Sequence, residues 1–134
     1  MKLTDNVHIL NWVDEMAALV KPDKIMWIDG SEEQLEELRR EAVSTGELIK
    51  LNEEKLPGCY LHRSDVNDVA RVEGRTFICS KKQEDAGPTN NWMDPKEMYE
   101  KLYAIYDGCM KGRTMYVIPY SMGVIGSDFA KYGI

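Results

Sequence analysis

The sequence has 134 residues, 17 Lys and Arg against 23 Asp and Glu, and a formal net charge of −6. With 43% apolar and 30% charged residues, the composition is that of a globular chain rather than a disordered one, and the length is enough to bury a core without disulfide staples. No apolar run approaches ~18 residues and Met1 to Asn6 hold no apolar leader core, so neither a membrane span nor a signal peptide is expected.

Val7, Leu10, Val13, Met16, Ala17 and Val20 recur at spacings of three and four, which predicts an amphipathic helix over 5–21. Thr4 or Asp5 is its expected cap and Pro22 its stop. Lys24 to Asp29 is a short apolar run, predicted as a buried strand and broken by Gly30. Ser31-Glu32-Glu33-Gln34 fits a capping box. The helix after it should turn Leu35, Leu38 and Ala42 inward and end at Gly46. Glu47 to Leu51 then reads as a strand parallel to 24–29, joined to it by that helix.

From Pro57 the texture changes. Cys59 to His62 reads as a strand, and Arg63 to Gly74 as a polar, turn-rich loop in which Ser64-Asp65 can start a helix. Thr76 to Ser80 is a further strand, and Lys81 to Trp92 a loop with Gly87-Pro88 as breaker and Asn90-Asn91 as turn formers. Asp94-Pro95-Lys96-Glu97 is a strong helix start. That helix should carry Met98, Leu102 and Ile105 on one face and end at Gly108. Thr114 to Ile118 is the central-strand candidate, closed by Pro119, and Ser121 to Ser127 is a Gly-containing loop. The fold class expected is mixed α/β, a mixed sheet flanked by helices.

Chemistry is sparse. His8 and His62 are the only histidines, and no CxxC, HxxxH or HExxH occurs, so no metal site is expected. His8 reads as a helix-surface residue and His62 as a strand residue satisfied by its neighbours. Cys59 and His62 lie at i and i+3, on opposite faces of an extended strand, and should not meet. The three cysteines, Cys59, Cys79 and Cys109, are an odd set at long spacings and argue for free thiols in a cytoplasmic protein. Gly123 to Ser127 lacks a Walker ending and reads as a plain turn.

Charge is unequal along the chain. Residues 1–54 carry 6 basic and 13 acidic side chains, and residues 55–134 carry 11 and 10. The acidic first part argues against nucleic acid as a partner. In the second part Arg63, Arg71, Arg75, Lys111 and Arg113 lie in or beside non-helical segments, where an arginine fork suits a carboxylate or phosphate. The alternative is local pairing with Asp65, Asp68, Glu73 or Asp107.

Particular words go further. Pro57 to Glu73, with Asp68-Val69-Ala70-Arg71 inside it, resembles the substrate-loop region of GTP-dependent phosphoenolpyruvate carboxykinases. Thr76-Phe77-Ile78-Cys79 and Gly87-Pro88-Thr89-Asn90-Asn91-Trp92-Met93 resemble it too. The most specific word is Met110-Lys111-Gly112-Arg113-Thr114-Met115-Tyr116-Val117-Ile118-Pro119-Tyr120-Ser121-Met122-Gly123. These words span 57–127.

The resemblance implies a lyase that interconverts oxaloacetate and phosphoenolpyruvate with GTP and GDP, using Mn²⁺ and Mg²⁺. It implies that Arg71 anchors the substrate carboxylate and that Glu73 meets a mobile lid. It implies too that 1–134 is a single incomplete domain, part of the N-terminal substrate-side domain of a longer enzyme. No catalytic residue and no metal ligand is expected in this part. Gly74 stands where the family has another small residue. Strands cut from their neighbours are expected to promote self-association. The other reading is a stand-alone anion-binding or structural α/β module without catalysis.

Overall fold

The computed structural model describes residues 3–68 and 72–134. It divides into two compact units, Met1–Ile28 with Val72–Ile134, and Asp29–Arg71.

In the larger unit, helix α1 (Val7–Val20) starts at Asn6 rather than at Thr4 or Asp5. The Asn6 side chain accepts the His8 amide at 3.0 Å, while the Thr4 hydroxyl accepts the Asn6 amide at 3.1 Å. Lys21 ends the helix in a left-handed conformation, φ 54°, with its amide on the Ala17 carbonyl. Strand β1 (Lys24–Trp27) follows.

The far end of the chain returns to this corner. Helix α3 (Pro95–Tyr106) is capped by Asp94, whose carboxylate accepts the Lys96 and Glu97 amides at 2.9 and 3.3 Å. Past its end, the Gly108 and Met110 amides donate to the Leu19 and Val20 carbonyls, both at 2.9 Å. These bonds fasten the last turn of α1, and Lys21 pairs with Asp107 beside them. Asp23 then takes the Gly112 amide at 2.9 Å and gives its own amide to the Arg113 carbonyl at 3.0 Å. Strand β6 (Thr114–Val117) is thereby set parallel to β1, in register from Lys24 with Thr114 to Trp27 with Val117. Val13, Trp27 and Val117 form the buried core, with Ile9, Leu10, Met115 and Ile134 packed on it. Each such side chain, fully buried, contributes about 1.5–3 kcal/mol.

Two more pairs complete this unit. Strands β4 (Phe77–Ile78) and β5 (Asn91–Trp92) are parallel. Strands β7 (Tyr120–Met122) and β8 (Lys131–Gly133) form an antiparallel hairpin in which Tyr120 faces Gly133.

The smaller unit holds helix α2 (Glu32–Ser44) and strands β2 (Ile49–Lys50) and β3 (Tyr60–Leu61). Ser31 caps α2 through the Gln34 amide at 3.2 Å. The reciprocal half of the capping box is displaced by two residues. Gln34 accepts the Asp29 amide at 2.9 Å, and Asp29 accepts the Ser31 amide at 2.8 Å. At the other end Gly46, φ 82°, supplies the left-handed turn. Asn52 organises the link to β3 by accepting the Glu54 and Lys55 amides.

The class is mixed α/β as expected, with four two-stranded ladders among the described residues. Several local expectations are corrected. The segment at 47–51 does not pair with β1. Its strand β2 pairs antiparallel with β3, because Asn52 turns the chain back on itself. Only Trp27 of β1 is buried, since that strand has one neighbour among the described residues. Ser64-Asp65 starts a turn, with the Asp65 carboxylate on the Asn67 amide at 2.8 Å, and no helix follows within the described residues. Leu35 and Ile105 are exposed, Ile105 at 68%, while Leu38, Ala42, Met98 and Leu102 are half-buried. The loop at 121–127 begins inside β7. Among the described residues no helix is long and apolar enough to cross a membrane.

Candidate functional site

The segment that leads to the candidate site runs from β3 to β4. Arg71 lies outside the described residues, as do Val69 and Ala70. The description resumes at Val72, and a 3-10 turn covers Glu73–Arg75. The Arg75 amide donates to the Val72 carbonyl at 2.8 Å, and the Thr76 amide to the Glu73 carbonyl at 3.2 Å. The Thr76 hydroxyl adds a bond to the Val72 carbonyl at 2.9 Å. Glu73 is exposed and opens the turn. Gly74 has no positive φ, and a Cβ built there would meet nothing within 4 Å. The turn therefore does not require glycine.

This turn is held from outside by one side chain. Asn91 in β5 donates from Nδ2 to the Glu73 carbonyl at 2.8 Å and to the Thr76 carbonyl at 3.2 Å. Both neighbours are acceptors, so only the amide nitrogen fits that position. The flanking residues do similar work. Asn90 Nδ2 donates to the Ala86 carbonyl at 2.7 Å, and Trp92 Nε1 to the Ser80 carbonyl at 3.0 Å. Asn90, just before the strand, and Asn91 and Trp92 within it thus tie neighbouring stretches of loop to this part of the chain. The dipeptide Asn90-Asn91 reads from sequence as turn formers. Nothing local signals that Asn91 reaches back over fifteen residues and more.

The other cations stand apart from this device. Arg63 follows β3 in the smaller unit, and Arg113 precedes β6 in the larger one. Among the described residues Arg63, Arg75 and Arg113 make no ion pair, and Asp107 is taken by Lys21. Local pairing with Asp65, Asp68, Glu73 or Asp107 is therefore not what occupies these three arginines. The Lys111 side chain instead lies over Gly108, where a Cβ would come within 3.0 Å of its Cε.

His62 Nδ1 is 2.8 Å from the Glu47 carbonyl, and Cys59 Sγ points to the Pro57 carbonyl, so the two do not meet. His8 is exposed on α1. All three cysteines are free and exposed. No three His, Cys, Asp or Glu side chains gather as a metal site among the described residues. The larger unit also has an apolar hollow of about 580 Å³ beside Trp27, Tyr120, Tyr132 and Ile134. Its only side-chain hydroxyls besides those of the tyrosines are Thr4 and Ser121.

Similar proteins give this loop and sheet a context. Three proteins called phosphoenolpyruvate carboxykinase [GTP] align over 131 residues, 98% of this chain. The one from Anaeromyxobacter sp. (strain K) is 60% identical, that from Corynebacterium kroppenstedtii 54%, and that from Corynebacterium efficiens 51%. The chain spans only about a fifth of their length, 22%, 21% and 21% respectively. The family profile described as the phosphoenolpyruvate carboxykinase N-terminal domain matches residues 11–134 and runs through both units. With nearly the whole sequence matched and both the word at 57–73 and the β6 word inside it, the chain belongs to the phosphoenolpyruvate carboxykinase N-terminal domain family.

Proposed function

We propose that this chain works as the N-terminal part of a GTP-dependent phosphoenolpyruvate carboxykinase in the cytoplasm. The observation that carries the reading is the 51–60% identity, through 98% of the chain, to proteins called by that name. In the reaction oxaloacetate loses its carboxylate as CO₂, and the enolate oxygen left behind takes the γ-phosphoryl group of GTP, giving phosphoenolpyruvate and GDP. Mn²⁺ and Mg²⁺ would neutralise charge on the phosphates and the enolate, and their ligands are assigned to the remainder of the enzyme.

The part played by residues 1–134 is to bind and orient. Arg71 is assigned as the substrate-carboxylate anchor, because a guanidinium offers two parallel donors to two coplanar oxygens. Glu73, exposed at the head of its turn, is assigned as the lid contact. Both units are assigned to one incomplete domain, which supplies scaffold and no catalytic group. Carboxykinase activity, assayed with oxaloacetate, GTP and Mn²⁺, should appear in a protein of the relatives' full length containing this sequence. It should be at background in the 134-residue chain. A full-length protein that binds dicarboxylates without decarboxylating oxaloacetate would overturn the reading and favour an anion-binding module.

A further inference from the structure

We infer that the open edge of β6 is the seat of one particular strand, the continuation of β8 past Ile134 in the longer protein. The inference rests on one part of the reading above, that this sequence is the N-terminal part of a longer chain, and on none of its chemistry.

The hairpin fixes the register. Tyr120 faces Gly133, Ser121 faces Tyr132 and Met122 faces Lys131. Antiparallel pairing carried one step further sets Pro119 opposite Ile134. A second step sets Ile118 opposite the residue after Ile134, and later steps run along β6 toward Thr114. Opposed residues share a face of the sheet, and every second residue of a strand returns to that face. Pro119 lies two positions past Val117, so this register puts Ile134 on the face of Val117. Ile134 does pack there, on the core of Val13, Trp27 and Val117. The chain leaving β8 therefore already follows the line of β6.

The edge is suited to a strand. The Val117 carbonyl accepts the Ile28 amide at 2.9 Å, so the polar groups of Val117 face β1, and in extended backbone those of Ile118 face the other way. Pro119 has no N–H to give, but it falls on the same side as Val117 and removes no bond from the new ladder. A groove of about 200 Å³ lies between α1 and β6, lined by Trp12, Val13 and Met16 from the helix and by Met115 and Val117 from the strand. Ile134 lines it too. Every second side chain of the added strand would turn toward this apolar wall. The matched part is 22% of the Anaeromyxobacter relative's length, so proteins of this family have chain to supply the strand. That strand is covalently continuous with β8 and closes no loop, whereas an edge from a second copy would have to be recruited from solution.

The test uses a protein of the relatives' full length containing this sequence. Ile118→Cys is paired with cysteine at the first residue after Ile134 and, in a second variant, at the next one. The first pair should share a face with Cα atoms about 5.5 Å apart, within disulfide reach. The second pair should lie on opposite faces. On mild oxidation, digestion and mass spectrometry should find the linked peptide at least about ten-fold more abundant in the first variant than in the second. Should the variants fail to fold, hydrogen exchange on the unsubstituted protein decides. The Ile118 amide should exchange at least about a hundred-fold more slowly than in an unstructured peptide.

Equal linking in both variants, no linking in folded protein, or an Ile118 amide that exchanges freely overturns the inference and leaves the proposed carboxykinase untouched. A link that joins two differently labelled copies gives the edge to a second copy and also overturns it. A native protein whose intact mass is that of 134 residues overturns the N-terminal-part reading and the added strand together.

Discussion

A carboxylate presents two oxygens in one plane, and arginine can answer both where lysine supplies a single point of charge. On the anchor role proposed above, Arg71→Lys in a carboxykinase of the relatives' full length containing this sequence is expected to raise KM for oxaloacetate and for phosphoenolpyruvate. Losing one charge-assisted hydrogen bond costs about 1.5–3 kcal/mol, on the order of ten- to hundred-fold in kcat/KM. Arg63→Lys, at an exposed position after β3, should change kcat/KM by less than about two-fold. Steady-state kinetics on the two variants side by side checks both. A second residue-scale expectation concerns Gly133. A Cβ there would come within 2.8 Å of Tyr120 Cε1 and closer still to the ring's hydroxyl end. The ring covers the glycine across the hairpin and would have to swing off it. Gly133→Ala should lower stability by about 1 kcal/mol, and Tyr120→Ala should abolish most of that difference in a double-mutant cycle.

At the scale of elements, caps are separable parts. The Asp94 carboxylate holds two amides at the start of α3, so Asp94→Ala should destabilise the chain by about 1 kcal/mol in urea unfolding. An unchanged midpoint would show that the cap adds nothing to the bonds that α3 and the turn after it make with α1. The same caps explain what was legible in the sequence. Ser31, Asp94-Pro95 and Gly46 act on residues two or three positions away, and all three helices stand within two residues of where the pattern puts them. Strand partners were not legible, because the partner is chosen at long range. Nothing in Leu48 to Leu51 says that it pairs with Tyr60 and Leu61 rather than with β1. The hairpin of β7 and β8 was hidden because Pro119 and Gly123 punctuate it as a loop. The candidate site was legible only as a word. The Arg71 segment stands only on its resemblance to a family word, whereas the Asn91 clamp depends on a ladder that no local pattern announces.

Over the whole molecule, stability should depend on pH at both extremes and little between. Asp29 is held below the usual carboxylate range by the Ser31 amide and hydroxyl, Glu53 by Lys50 and the Gly58 amide, and Asp107 by Lys21. Each binds its proton less tightly folded than unfolded. Their contribution is complete above about pH 5 and is lost as the pH falls toward about 3. Tyr103, whose hydroxyl donates to Glu15, is shifted up, as is Lys50 by Glu53. Their contributions are present below about pH 10 and lost above it. All these groups are exposed, so the changes are small. Thermal midpoints across the range check this, and a step between about pH 6 and 8 would contradict it.

Surface chemistry leads to a further expectation at this scale. β6 has β1 on one side and no strand on the other among the described residues. Ile118, Val124, Ile125 and Phe129 are exposed, Phe129 at 89%. Open edges and apolar surface favour association, so we propose that the isolated 134-residue chain self-associates. Sedimentation at high micromolar concentration should show dimers or larger species, and a clean monomer would refute it.

The pairing of β1 with β6 has a consequence in time. Lys24 and Thr114 are register partners, yet 90 positions separate them in the sequence. A ribosome adding about 5–20 residues each second makes Trp27 roughly 5–18 s before Val117, the residue beside it in the core. Until then α1 and β1 have no sheet to join, and the buried face of Val13 and Trp27 stays open to water or to chaperones. The smaller unit, whose strands β2 and β3 lie close in sequence, can close its own ladder during that wait. Synthesis of this chain is therefore expected to pass through a stage in which the middle is ordered and the beginning is not.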